Sequence, residues 1–345
     1  MLVLGVESSC DETAAALVED GHNILSNVVA SQIKTHRSFG GVVPELASRE
    51  HLRNIGYVVR KAFSDTGLSY QNVDGLAVTQ GPGLIGSLLV GLSFAKAMAF
   101  SLKKPLVPVN HIEGHIYSAF IEHPDIAYPL LALVVSGGHT SLIYSPEPER
   151  YEPVARTRDD AAGEALDKLA KFLGLGYPGG PVIDRLSARG DPRRFHFSIP
   201  KISDGSLDFS FSGFKTAALR YIERADIRPC RSSSRVSRIV LDLVASYQQA
   251  IVDTLVAQTR KAIQRHRPKS ILLVGGVACN SLLRQTFPAA LAEVVYYPSS
   301  ILTTDNAAMI AAAGTPKLRR GGDATYDLNA FADLPLATAA ARRSY

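Results

Sequence analysis

The chain opens on short apolar runs separated by short polar turns. Leu2 to Val6, the turn Glu7-Ser8-Ser9-Cys10-Asp11-Glu12, and Thr13 to Val18 predict a strand, a sharp turn and a second strand. Asp20-Gly21 is a favourable two-residue hairpin turn, and a third strand is expected near Ile24 to Val29. The same order returns at mid-chain. There the apolar run Leu130 to Val135 meets the polar turn Ser136-Gly137-Gly138-His139 and a second strand, Thr140 to Tyr144. A helical stretch follows each unit, over roughly 44–66 and 159–174. Each half then adds an apolar strand running into a glycine-rich turn and a helix: Leu76 to Thr79 before Gly81-Pro82-Gly83, and Ile271 to Val274 before Gly275-Gly276.

The pattern repeats although the residues do not. It predicts a duplicated α/β architecture, with two lobes of similar topology facing one another across a cleft, a preferred place for a small-molecule site. Length agrees, because single cores stop growing near about 250–300 residues and this chain has 345. The expected division is an N-terminal lobe over 1–125, a C-terminal lobe over 126–325, and a tail over 326–345 packing back on the N-terminal lobe.

Residues 75–95 carry no charged side chain, and about 20 such residues can span a bilayer. Gly81-Pro82-Gly83 interrupts them, so a buried strand (73–79), a tight turn and a buried helix (84–102) containing Lys96 are expected instead. A soluble protein without a membrane partner follows as the expectation. The chain is 46% hydrophobic, which offers enough apolar surface to offset chain entropy and excludes disorder over most of its length. Cys10, Cys230 and Cys279 are odd in number and far apart, so a reducing cytoplasm is expected rather than a disulfide framework. The N-terminus lacks a basic stretch before its apolar run, which argues against a signal peptide.

Charge changes the picture in one place. Lys215, Arg220, Arg224, Arg228, Arg231, Arg235 and Arg238 stand against Glu223 and Asp226 only, a local net charge of +5 that equals that of the whole chain. Their spacing of three and four suits one helix face, although Pro229 must break the helix. The window reads either as a solvated surface or as a polyanion footprint, most naturally for RNA.

His111 and His115 lie at i and i+4, so on a helix both imidazoles project from one face, as packing residues or as metal ligands. A zincin protease is excluded, because Glu113 stands one place later than the glutamate of HExxH, about 100° round the helix. Asp305, before an alanine-rich helix, is either a third ligand or an N-cap. Ser136-Gly137-Gly138 permits close backbone approach to a ligand. Gly275 to Asn280, after a strand and before a helix, suits phosphate or nucleotide contact without being GxGxxG or a Walker loop. Glu164 and Lys168 form an i, i+4 pair. Tyr177 to Pro181 is a rigid turn, and Asp184 beyond it either reaches a ribose hydroxyl or caps the next helix.

Glu7 to Thr13, Gly40 to Arg49, Gly81-Pro82-Gly83, His111 to His115, Val134 to Thr140, Asp159 to Lys168, Tyr177 to Pro181, Asp208 to Gly213, Gly275 to Asn280 and Thr304-Asp305-Asn306 together resemble the tRNA threonylcarbamoyladenosine transferase family of the bacterial TsaD type, once called Gcp. The match runs in register to about residue 315. The resemblance implies the actin/Hsp70/sugar-kinase (ASKHA) superfold. It also implies transfer of the threonylcarbamoyl group from threonylcarbamoyl-AMP to N6 of adenosine 37, in tRNAs reading codons that begin with A. By the same likeness His111, His115 and Asp305 are the metal ligands, for Fe(II) or else Zn(II). Val134, Val135, Ser136, Gly137 and Gly138 line the adenylate, and Asp167, Gly180, Asp184 and Asn280 hold its nucleoside. Glu12, in the first hairpin turn, is the candidate base for the amine proton or a residue that shapes the site. A shorter paralogue (TsaB type) and a small ATPase (TsaE type) are the implied partners beside tRNA. The alternatives are a small-molecule kinase of the same superfold and a non-catalytic nucleotide-binding scaffold.

Overall fold

The computed structural model describes residues 1–200, 202–230, 236–324 and 326–336. The chain forms two compact units, one of Met1–Ile126 with the described residues from Pro298 onward, the other of Ala127–Tyr297. The first unit runs β1 (Leu2–Glu7), β2 (Glu12–Glu19), β3 (Asn23–Ser31), the short α1 (Ile33–His36), α2 (Pro44–Ser64), β4 (Gly75–Gly81), α3 (Ile85–Leu102), β5 (Leu106–Asn110) and α4 (His111–Glu122). The second contains β6 (Leu130–Val135), β7 (Thr140–Ser145), β8 (Glu152–Arg156), α5 (Ala162–Phe172), α6 (Gly179–Ser187), α7 (Ser212–Arg224), α8 (Arg238–His266), β9 (Ser270–Val274), α9 (Ser281–Ala290) and β10 (Val294–Tyr296). The chain then returns to the first unit with α10 (Ser300–Thr303) and α11 (Ala307–Arg319).

The duplication is visible in the sheets. Their orders are β3-β2-β1-β4-β5 and β10-β9-β6-β7-β8, so β6 to β10 repeat the places of β1 to β5. In each, the first strand pairs antiparallel with the second and parallel with the fourth. The hairpin turn at Asp20-Gly21 forms as expected, with both residues at positive φ (56° and 81°). After β9 the chain makes a helical turn at Gly276–Cys279 before α9 begins, so the long helix starts later than the glycines suggested.

Alternation builds the first unit's two-sided core. Leu4 and Val6 of β1, with Ala15 and Leu17 of β2, pack with buried residues of α2 and α3. Val3, Ala14, Ala16 and Val18 point the other way, against α11. In the second unit Leu131, Leu133 and Val135 pack with α5 and α8. Two helices, Ile85–Leu102 and Arg238–His266, are long and apolar enough to cross a membrane by length and composition. The second is largely buried, and α3 turns Leu88, Leu92, Ala95 and Ala99 into the core.

The division of the chain differs from the one drawn above. Residues from 298 onward group with the first unit rather than with the second, because α11 lies on β1 and β2 through small residues. A Cβ added at Gly5 would stand 2.2 Å from the carbonyl oxygen of Ala307 and 2.8 Å from the nitrogen of Ala311. Beyond α11, the Phe331 N–H donates to Gln80 O (3.0 Å) and Asn110 Nδ2 donates to Leu334 O (2.9 Å), so this stretch also belongs to the first unit. Residues 337–345 lie outside the described residues.

Gly5→Ala is therefore expected to lift α11 from the sheet and to destabilise the protein by about 1–3 kcal/mol. The midpoint of urea unfolding measures it, and an unchanged midpoint would show that the helix yields without cost.

Candidate active site

β5 ends at Asn110, whose Oδ1 accepts from the N–H groups of Ile112 and Glu113 and so caps α4. That cap puts His111 in the first turn and His115 one turn later. Both are buried, with ring centroids 4.7 Å apart. Asp305 comes from the other end of the chain. The N-cap of α11 is Asn306, whose Oδ1 accepts from Met309 N (3.1 Å), so Asp305 does not cap the helix. Its Oδ1 lies 3.2 Å from His115 Nε2 and 3.6 Å from His111 Nε2. Ligand atoms about 2.1 Å from one ion at tetrahedral angles stand about 3.4 Å apart, and these two distances bracket that value.

Two further observations fit a metal. His115 is fully buried, and neither of its ring nitrogens has a hydrogen-bond partner among the described residues. All three ligand groups lie within 4.8 Å of one another. Glu113 has no part in this. It is buried and pairs with Lys317 of α11 at 2.6 Å, which clamps α4 to α11. Gly114 permits the contact, since a Cβ there would stand 2.8 Å from Ile310 Cδ1.

Behind His111 lies Glu7, a residue whose role the sequence reading missed. It ends β1 and has no exposed surface. His111 Nδ1 is 3.0 Å from Glu7 Oε2, Thr79 Oγ1 donates to the same oxygen (2.6 Å), and the Ser9 N–H donates to Oε1. Burial alone would push the Glu7 carboxyl up, but the adjacent His111 charge and their hydrogen bond hold it below the ordinary value. Burial likewise disfavours charge on His111, yet the carboxylates of Glu7 and Asp305 outweigh it and raise the imidazole to about 9. Two carboxylates converging on one imidazole make a pocket that calls for positive charge, which a divalent ion supplies. An acidic residue directly continuing a fully buried strand was the available signal.

The first hairpin turn adds two more carboxyls. Burial, then the neighbouring Asp11, push the Glu12 carboxyl up to about 8, while Ser31 Oγ donates to its Oε1 (2.9 Å). Asp11 is raised as well, by burial and by Asp305.

The other residue group lies in the second unit. Val134 and Val135 are fully buried in β6, which is paired on both sides, so they serve to carry the turn that follows. In that turn the Ser136 N–H donates to His139 O (2.8 Å), and the His139 N–H donates to Ser136 Oγ (3.0 Å). Gly137 and Gly138 stay exposed, with nothing within 4 Å of where a Cβ would be. Gly275, at φ +91°, brings the turn after β9 against the carbonyl of Val135, where a Cβ would stand 2.5 Å away. Asp167 Oδ1 accepts from the N–H groups of Gly179 and Gly180 (2.7 and 3.2 Å). Asp184 accepts from Ser281 N–H and Oγ and from Gln248 Nε2. It therefore steadies the start of α9, and Asn280 caps that helix. The turn after β6 and the turn after β9 leave neighbouring parallel strands at their carboxyl ends, where open α/β sheets bind ligands. Lys168 pairs with Glu164 (2.8 Å) and also with Asp160 (2.6 Å).

A doubled five-stranded α/β unit of this topology belongs to the ASKHA class. HypF structures share the fold: that from T. kodakarensis superposes with a TM-score of 0.61 at 15% identity, over 95% of this chain and 49% of its own. A full-length HypF in a phosphate- and nucleotide-bound form also gives 0.61, at 12% identity, over 94% of this chain and 47% of its own. The family model described as TsaD, tRNA N6-adenosine threonylcarbamoyltransferase, matches residues 23–312. Proteins of that name from Koribacter versatilis (48% identical, 97% of this chain and 99% of the relative) and Caldicellulosiruptor saccharolyticus (49%, 96% and 97%) align over nearly their whole length. The chain belongs to the tRNA N6-adenosine threonylcarbamoyltransferase family.

Glu12 yields a prediction independent of turnover. A carboxyl raised in the folded state contributes stability that is full below the unfolded value, about 4.3, and is lost as pH rises through about 8. Glu12→Gln cannot ionise, so its melting temperature relative to wild type is expected to climb by about a few degrees between pH 5 and pH 8.5. Thermal melts at the two pH values test it, and a constant difference would refute the assigned titration.

Proposed function

We propose that the chain performs the transfer for which its family is named. The threonylcarbamoyl group passes from threonylcarbamoyl-AMP to N6 of adenosine 37, in tRNAs reading codons that begin with A. The convergence of His111, His115 and Asp305, in a chain aligned to the family over nearly its full length, carries this reading. The donor set of two imidazoles and one carboxylate suits Fe(II), with Zn(II) compatible. A kinase of the same superfold would hold magnesium through oxygen ligands, and the two imidazoles speak against it.

The substrate is a mixed anhydride already activated for transfer. A bond forms from N6 to the carbamoyl carbon, the bond from that carbon to the phosphate oxygen breaks, and its electron pair leaves with AMP. When bound, the metal would supply Lewis-acid polarisation of a phosphate or carbamoyl oxygen. The open backbone of Ser136, Gly137 and Gly138 suits the phosphate, while Asp167, Gly180, Asp184 and Asn280 are the residues proposed for the nucleoside. Glu12 accepts the proton lost by N6. A carboxyl pushed up to about 8 titrates near neutral pH, where a general base is most effective. The reading includes a shorter paralogue and a small ATPase as partners, and the cytoplasm as the place of action.

tRNA is the polyanion that the basic window would meet. The break expected in that window falls between the end of α7 at Arg224 and the start of α8 at Arg238. Lys215 pairs with Asp160 and Arg238 with Asp242. Arg220, Arg224 and Arg228 are exposed and form no ion pair among the described residues, and Arg231 and Arg235 lie outside those residues.

A transfer assay tests the reaction: unmodified tRNA and threonylcarbamoyl-AMP, with paralogue and ATPase present, and modified adenosine read by mass. Wild type is expected to give product, His111→Ala none, and Glu12→Ala none while still binding the adenylate. No wild-type product, in a mixture active with another family member, would overturn the reading. For the basic window, replacing Arg220 and Arg224 by Glu is expected to weaken tRNA binding and to lower the slope of log affinity against log salt by about one per lost phosphate contact. An unchanged slope would return the window to plain surface.

A further inference from the structure

We infer that Glu7 is a positioning residue for the metal centre: it holds His111 by Nδ1, so that Nε2 is the atom left to bind the ion. The inference rests on the metal reading of the His111, His115 and Asp305 group, and it begins from how the sheet is built. β1 is flanked by β2 and β4, and β4 is followed by β5. Val6 is in register with Val78, so Glu7 and Thr79 come next to each other where β1 ends, two residues before the end of β4. β5 ends at Asn110, and His111 follows it. The carboxyl-end portions of three strands thus deliver Glu7, Thr79 and His111 side by side.

Glu7 is fully buried, and a carboxylate in that position is tolerated only when its oxygens are satisfied. Oε1 accepts from the Ser9 N–H, and Oε2 lies within reach of Thr79 Oγ1 (2.6 Å) and His111 Nδ1 (3.0 Å). Without exposed surface it does not meet a substrate, so its effect must pass through His111. Ser9 Oγ, 3.1 Å from the same Nδ1, closes that side of the ring further. A proton kept on Nδ1 for Glu7 leaves a lone pair on Nε2, the nitrogen that faces Asp305. Metal-bound histidines commonly donate their other N–H to a carboxylate, which sets the tautomer and strengthens the ligand. His115 has no such support, since its Nδ1 lacks a partner among the described residues. The two imidazoles are therefore unequal, and Glu7 governs only one of them.

The test uses the full chain with Zn²⁺ and Co²⁺ as probes. Affinity is measured by competition with a chromophoric chelator, and the Co²⁺ spectrum reports the ligand field. Glu7→Gln keeps the size and one acceptor but removes the charge; it is expected to weaken metal binding about 10–100-fold and to shift the cobalt bands, with its melting curve confirming the fold. A folded Glu7→Gln with wild-type affinity and spectrum would overturn the inference. A second measurement needs no variant. In the zinc-loaded wild type with ¹⁵N-labelled histidine, His111 is expected to show a protonated Nδ1 and a ligated Nε2, and ligation through Nδ1 would overturn the inference even if Glu7→Gln did not fold. His111→Ala separates the two readings. If it binds metal as wild type does, the metal group itself is misassigned, and the inference falls with it rather than through any property of Glu7.

Discussion

The close seating of α11 on the first sheet is the contact on which the candidate metal centre depends. Gly5 meets Ala307 and Ala311, Gly314 meets Ala77, and Gly114 of α4 meets Ile310. Each of these positions lacks the one atom that would push a helix away, and helix separation follows side-chain size at the contact. Because α11 and α4 lie together, Asp305 before α11 reaches histidines nearly two hundred residues earlier in the chain. The Glu113–Lys317 pair fixes the two helices further along, and Lys317 Nζ also donates to Pro108 O on the strand that leads into α4. An ion held by three side chains needs them placed to within about half an ångström, and small residues in a packed interface supply that rigidity.

The same interface gathers negative charge. Glu7, Asp11 and Glu12 all lie within the field of Asp305, and their environments push their titrations apart. Glu7, matched by His111, stays ionised. Glu12, buried beside Asp11 without a cationic partner, holds its proton toward neutral pH. Two carboxyls five residues apart thus have their titrations shifted in opposite directions, and the difference lies in what each touches.

Much of this was legible in the sequence, for a physical reason. Strand alternation, the Asp20-Gly21 turn and the i, i+4 histidines are local signals, and local geometry decides them. The return of residues from 298 to the first unit was not legible. Nothing near Ala307 says which sheet its alanines will meet, and only the matching small residues of β1 and β2 decide it. The choice of cap for α11 was equally hidden, because Asp305 and Asn306 both cap helices well and three-dimensional demand assigned the task to Asn306. Asp159 shows the same limit: its carboxylate accepts from Phe211 and Ser212 N–H at the start of α7, about fifty residues away, with no spacing rule to announce it. Glu7 was in plain view as the residue ending an apolar strand, yet its contacts required knowing that β4 brings Thr79, and the residue after β5 brings His111, to the same place.

The duplicated topology makes the first hairpin turn of each unit an instructive pair. In the first unit the turn is packed: Glu7, Ser8 and Ser9 are buried, and the carbonyl of Cys10 accepts from His51 Nε2 (3.0 Å). In the second unit the equivalent turn is Ser136-Gly137-Gly138-His139, with its glycines open to solvent. The contrast follows from what each ligand class requires. A metal ion is held by side chains, whose aim must be fixed by burial and hydrogen bonds behind them. A phosphate is held by backbone N–H groups, which are effective only where no Cβ obstructs approach. On the proposed reading, one structural position would thus serve two chemistries, with the filled turn backing a metal ligand in one copy and the stripped turn offering backbone to a phosphate in the other.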